Sequence, residues 1–244
     1  MTSRPPADPV EVFLLGVISL DDAQRLQRRL VYDRGERGGG ALILCEHPPT
    51  ITVGRTGSRA FIVPDDEALR DLRLPVRWTT RGGGCVLHLP GQLAAYLVLS
   101  LEARKLNLGD YLAIIERVIV GALAEFDLPG CVQSERPGIF VRRSRIASIG
   151  IAVARGVAHH GFTLNVGPYL APFELLDEPG LDGWPLKQTS IEAQIQRTAP
   201  MSRVREAIIR LVESELGLER RHVYTDHPLI RPKARPHAYV AHLG

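Results

Sequence analysis

The chain has 244 residues, 45% of them hydrophobic and 23% charged, which is enough for one well-packed domain and is an ordinary globular balance. A formal net charge of +3 does not call for nucleic acid, although a basic face would suit an acidic protein partner. Three cysteines, Cys45, Cys85 and Cys131, are too few and too odd in number for a disulfide scaffold and predict a reducing, cytoplasmic setting. No apolar run approaches the roughly 18 residues of a membrane helix. The N-terminus lacks the basic and apolar regions of a signal peptide, so no membrane association is expected.

Residues 1–9, with Pro5, Pro6 and Pro9, predict a loose arm. Val10 to Ile18 is a β-rich apolar run, a first strand. Ser19 is placed to cap a helix reaching about Arg34, with Asp21 and Asp22 in its first turn and Ala23, Leu26, Leu30 and Val31 on its apolar stripe. Gly38-Gly39-Gly40 ends it, and Ala41 to Cys45 is a buried strand. Glu46-His-Pro-Pro-Thr-Ile-Thr-Val-Gly-Arg55 is an extended turn and a strand; His47 and Arg55 are its candidates for touching a ligand or partner. A short helix is expected near Asp65–Leu72 and a strand over Val76–Thr80.

Next comes Arg81-Gly-Gly-Gly-Cys-Val-Leu-His-Leu-Pro-Gly-Gln92. Consecutive glycines let backbone N–H groups approach a ligand, and an arginine at the loop's edge can fork onto a carboxylate, phosphate or carbonyl. The loop lies between strands, and Leu93 to Ser100 is a buried one. Leu108 to Phe126 has the clearest helical period, stopped by Pro129-Gly130. Gly138–Val141, Arg145–Val153 and Val157–Val166 predict three strands joined as antiparallel hairpins. Ser148-Ile149-Gly150 beside Gly161 would let a ligand or a backbone come close. Leu170 to Lys187 is a Pro-rich loop with the character of a lid. A short helix to Gln196 and an amphipathic helix to Leu216 follow. Residues 222–244 carry four histidines without metal-ligand spacing, so neither metal nor cofactor is expected. The whole, residues 1–244, is expected to be one domain with a core of about 10–217 and a tail over 218–244.

Arg-Gly-Gly-x-x-x-x-His-x-Pro-Gly-Gln resembles the signature of the lipoate-biosynthesis octanoyltransferases, relatives of lipoate and biotin protein ligases. Glu46-His-Pro-Pro, Arg145-Ile-Ala-Ser-Ile-Gly150 and His160-Gly-Phe-Thr-Leu-Asn165 resemble further blocks of that family, over about residues 40–190. The resemblance implies an α/β (α+β) fold with a mixed, largely antiparallel central sheet flanked by helices. It implies transfer of an octanoyl group from acyl carrier protein to a lysine of lipoyl domains, those of 2-oxoacid dehydrogenases or the glycine cleavage protein, through a cysteine thioester and without a nucleotide. One wall of the substrate site would be Arg81, Gly82, Gly83, Gly84, Cys85, Val86, Leu87 and His88. The other would be Ser148, Ile149, Gly150, Gly161, Phe162 and Thr163.

Two positions depart from the pattern. The family's Pro-Cys-Gly segment corresponds to Glu178-Pro179-Gly180, with Pro179 in place of the nucleophile, 19 residues after His160. The family's lysine is Arg145, which offers fixed charge able to depress a nearby thiol's pKa but not a titratable ammonium. Cys131, 14 residues before Arg145, and Cys85, inside the loop, are the alternative nucleophiles. An ATP-dependent lipoate ligase and a degenerate, non-catalytic binder of lipoyl domains or acyl carrier protein are the alternative readings.

Overall fold

The computed structural model describes residues 10–133, 136–178, 186–218 and 221–230. The expected N-terminal arm, Pro179 with most of the lid's second half, and the end of the tail lie outside the described residues. In chain order the elements are β1 (Val10–Val17), α1 (Leu20–Arg37), β2 (Gly40–Glu46), β3 (Thr50–Val53), α2 (Asp66–Asp71), β4 (Val76–Trp78), β5 (Cys85–His88) and β6 (Gln92–Ser100). They continue with α3 (Leu101–Arg104), α4 (Leu108–Ala124), β7 (Gly130–Gln133), β8 (Arg136–Val141), β9 (Ser144–Ala154), β10 (Val157–Asn165), α5 (Ile191–Ile195), α6 (Met201–Leu216) and β11 (Arg221–Tyr224).

Eight strands form one sheet in the order β11-β1-β2-β6-β10-β9-β8-β7. Its β1–β2 and β1–β11 pairs are parallel and the rest antiparallel, as expected for a mixed, largely antiparallel sheet. The central strand β6 is buried along its whole length. Leu93, Ala95, Leu97 and Leu99 face α4 and α6, whereas Ala94, Tyr96 and Val98 face α1. A strand covered on both sides must be apolar at every position, which is why this stretch shows no alternation in sequence. On the first side, Tyr111, Ile115 and Ile119 of α4 meet Val204, Ile208 and Val212 of α6. On the second, Ala23, Leu26 and Leu30 of α1 cover Ile43 and Cys45. The Ser19 side chain accepts the Asp22 N–H at 3.1 Å, the predicted cap.

Three features differ from the sequence expectation. The strands around the glycine loop leave the large sheet and form a second one, β4-β3-β5, over its own apolar cluster of Ile51, Val53, Leu69, Cys85 and Leu87. Cys131 lies within an edge strand, β7, that no apolar pattern announces. Part of the expected tail is β11, whose four residues are all exposed yet pair in parallel with β1. Among the described residues, no helix is long and apolar enough to cross a membrane.

Ile119 is fully buried between α4 and the sheet. Ile119→Ala is expected to lower the unfolding free energy by about 2–5 kcal/mol, read from urea denaturation. A loss under about 1 kcal/mol would mean that this helix does not anchor the core.

Candidate active site

The small sheet stands over the α1 side of β9 and β10 and leaves a cleft between them. Thr52 of β3, Val86 and His88 of β5, and Arg81 form its upper wall. Ser148–Gly150 of β9, His160–Thr163 of β10 and Tyr96 of β6 form its floor, and Leu20, Gln24 and Gln27 of α1 close one end. The register explains which atoms are offered. Gly161 pairs with Gly150 and Tyr96, and Thr163 with Ser148, so these residues share the cleft face. Ile149 and Phe162 line the cleft through their backbone, because their side chains join the α4–α6 cluster on the other face.

Arg81 holds the walls together. One Nη donates to Thr52 O at 2.9 Å, Thr52 Oγ1 at 2.8 Å and Gly84 O at 2.9 Å, and the other to Gly82 O at 2.9 Å. The expected fork onto a ligand is therefore a fork onto the loop's own carbonyls. Burial lowers the guanidinium pKa to about 10, opposed chiefly by Glu178, so it remains a cation at neutral pH. The Gly82 N–H donates to Ile151 O at 2.9 Å and ties the loop to β9. A Cβ on Gly150 would come within 2.8 Å of Gly82 O, so the small residue on this strand admits the loop backbone.

The histidines are buried and neutral. The His47 Nδ1–H donates to Ile18 O at 2.8 Å, which leaves Nε2 to accept from the Tyr96 hydroxyl at 2.7 Å. His47 is thus behind the cleft wall rather than in it, and burial drives its pKa down to about 4. His160 is lowered to about 3, by burial and then by His159 and Arg81. His88, 3.1 Å from Thr52 Oγ1, is held well below the usual imidazole range, chiefly by burial and then by its neighbours His47 and Arg81. Arg55 is exposed, with its backbone N–H on Arg81 O at 3.0 Å.

None of the three thiols lines the cleft. Cys85 and Leu87, expected on the ligand wall, turn to the opposite face of β5 into the small apolar cluster, because successive strand residues alternate. The Cys85 thiol is 3.4 Å from Ser58 O, and its pKa is raised by burial and by Glu178. Cys131 is exposed on the edge of the large sheet, 3.4 Å from Phe140 O. Cys45 is fully buried under α1, and burial raises its pKa far above the usual range. Arg145 lies two strands in from Cys131 and makes an ion pair with Glu178, Nη to Oε2 at 3.3 Å, with side chains only 10% and 12% exposed. The other Glu178 oxygen accepts the backbone N–H of Cys85. Sequence reading missed Glu178: a carboxylate 93 residues from its amide partner leaves no local signal. Among the described residues, no group of His, Cys, Asp and Glu is placed to hold a metal ion.

The sequence from residue 20 to 213 matches the family model described as the lipoyl protein ligase A/B catalytic domain. The chain belongs to that family. It is 35% identical over 195 residues to an octanoyltransferase of Syntrophobacter fumaroxidans, covering 80% of this chain and 85% of the relative. It is also 35% identical to an octanoyltransferase of Rubrobacter xylanophilus over 209 residues, 84% of this chain and 92% of that one. Among solved structures it is similar in fold to the bi-partite lipoate protein ligase of Thermoplasma acidophilum, with a TM-score of 0.63 at 17% identity, over 89% of this chain and 88% of the other. The large mixed sheet is therefore the family's sheet, and the cleft lies between it and the small sheet that carries the glycine loop.

The neutral histidines make stability depend on acid. Their folded pKa values lie below the unfolded 6.5 or so, so the unfolded chain binds the protons and stability present near neutrality is lost as pH falls. Between pH 7 and 5, His47 and His160 should each contribute a loss of about 2 kcal/mol, with folded pKa values of about 4 and about 3. Urea midpoints at the two pH values measure this. Equal midpoints would mean that the imidazoles are hydrated in the folded protein.

Proposed function

We propose that this chain works in octanoyl transfer for lipoate biosynthesis, carrying a medium-chain acyl group to lipoyl-domain acceptors. The observation that carries the reading is the cleft, in a chain 35% identical over most of its length to octanoyltransferases. Leu20, Val86, the Tyr96 ring and the Gly150–Gly161 floor offer an apolar slot, with Thr52, Ser148 and Thr163 able to hydrogen-bond a carbonyl. Each methylene that such a slot buries contributes about 0.8 kcal/mol, so an apolar chain gains affinity from it without a nucleotide. The donor is an acyl carrier protein thioester, and the acceptor lysine lies on a lipoyl domain of a 2-oxoacid dehydrogenase or of the glycine cleavage protein.

A second reading is favoured by one observation, the absence of any thiol from the cleft lining. The chain would then hold the acyl group or the lipoyl domain without turning it over. Incubation with octanoyl-acyl carrier protein and a lipoyl domain, without ATP, separates the two. The transfer reading expects the domain to gain an octanoyl group by intact-mass spectrometry, and the holding reading expects binding with no mass gain.

Two substitutions locate the slot. Ser148→Leu fills its floor from a half-buried position and is expected to raise the KM for the octanoyl donor at least about tenfold, the loss of a few buried methylene contacts. Arg81→Ala is expected to weaken donor binding far more than Arg142→Ala, because Arg81 braces the loop whereas Arg142 lies in an exposed turn. Equal effects of the two arginine variants would remove the loop from the binding site.

A further inference from the structure

The end of the cleft that α1 closes carries an amide whose hydrogen bonds are only half made. Leu20, Gln24 and Gln27 follow one another along a single stripe of α1, and all three line the cleft. Gln27 is 2% exposed. Beside it, the pairing of β10 with β6 passes from Ala158 to Gly161 and skips His159 and His160, and His160 takes a left-handed φ of 61°. The His160 N–H, freed from the ladder, donates to Gln27 Oε1 at 2.9 Å. That bond settles which way the amide faces, because only its oxygen can accept. Its Nε2 is buried and has no acceptor among the described residues. The strand needs only an acceptor for one N–H. The amide brings two further donors to a cleft wall, and buried donors left unmet are costly. The cleft's hydroxyls lie at the other end. Ser148 and Thr163 pair with each other beyond Gly150 and Gly161, and the rise of a strand puts Thr163 about 10 Å from His160. A carbonyl held by those hydroxyls sends its acyl tail over the glycine floor toward Gln27.

We propose that Gln27 is a specificity-determining residue whose unpaired amide donors stop the acyl tail and set its length. The proposal rests on the octanoyl-transfer reading. A methylene pushed against Nε2 offers no acceptor and shuts out any group that could supply one, so an alkyl tail longer than octanoyl is disfavoured. A tail of that greater length with a carbonyl near its tip gives the amide its acceptor and is taken. The limit is therefore chemical: a wall of fixed volume would reject both long tails alike.

The test uses the full chain, a lipoyl domain, and acyl carrier protein loaded with octanoyl, decanoyl or 9-oxodecanoyl groups. Three results are expected. The wild type shows a kcat/KM for octanoyl at least about tenfold above that for decanoyl. It transfers 9-oxodecanoyl at least about fivefold better than decanoyl. Gln27→Met, folded by circular dichroism, loses the preference for the oxo tail and raises decanoyl relative to octanoyl at least about fivefold. Equal use of octanoyl and decanoyl by the wild type would overturn the proposal and leave octanoyl transfer standing, as would an oxo tail no better than decanoyl. The wild-type comparison decides this even where the variant fails to fold. A folded Gln27→Met with the wild-type profile would overturn it too. Absence of octanoyl transfer by the wild type would overturn the octanoyl-transfer reading and this proposal with it.

Discussion

Arg81 is the fastening on which the cleft depends. A buried guanidinium is costly to desolvate, and this one is matched by four acceptors drawn from β3 and from its own loop. Those bonds fix the glycine loop to the small sheet, and the Gly82 N–H fixes the same loop to β9 of the large one. The distance between the two sheets, and so the height of the cleft, follows from this clamp. Gly150 is part of the same arrangement, since a side chain there would push the loop away from the floor.

The electrostatics follow from the packing. With His47, His88 and His160 all kept neutral by burial, the positive charge at the glycine loop among the described residues comes from guanidiniums: Arg55, exposed beside Gly82, and the buried Arg81 and Arg145. Both buried guanidiniums are fixed in place, Arg81 by carbonyls and Arg145 by a carboxylate. A site with preset charge and little titration near neutrality suits chemistry in which negative charge develops on an oxygen.

Membership of the lipoyl protein ligase A/B family accounts for the sheet, the loop and the cleft. It does not account for the pair Arg145 and Glu178, which stands where the chemistry of the family pattern would have a lysine and, one residue on, a cysteine. In this chain the loop and the segment after β10 meet through the Glu178 carboxylate, which accepts the Cys85 N–H and pairs with the Arg145 guanidinium.

Much of the fold was legible in the sequence. The helical stripe of α4, the capped start of α1, the continuous apolar run of β6 and the hairpins β8–β9–β10 are local patterns, set by backbone period and side-chain burial within one element. The glycines at 82–84, 150 and 161 likewise announced close approach. The tertiary structure alone decided what came close: at Gly150 the loop backbone, at Gly84 a carboxylate. It also decided that Cys85 faces away from the cleft while Val86 and His88 face it, because the phase of a two-residue period is set by the partner strand and its register. β7 and β11 were illegible because edge strands with exposed side chains carry no apolar alternation, their pairing being made by backbone groups that every residue shares. The sequence by itself determined the helices, the inner strands and the residues available for chemistry. Which of them meet was decided by contacts such as that between Glu178 and Cys85, made across 93 residues of chain and leaving no local trace.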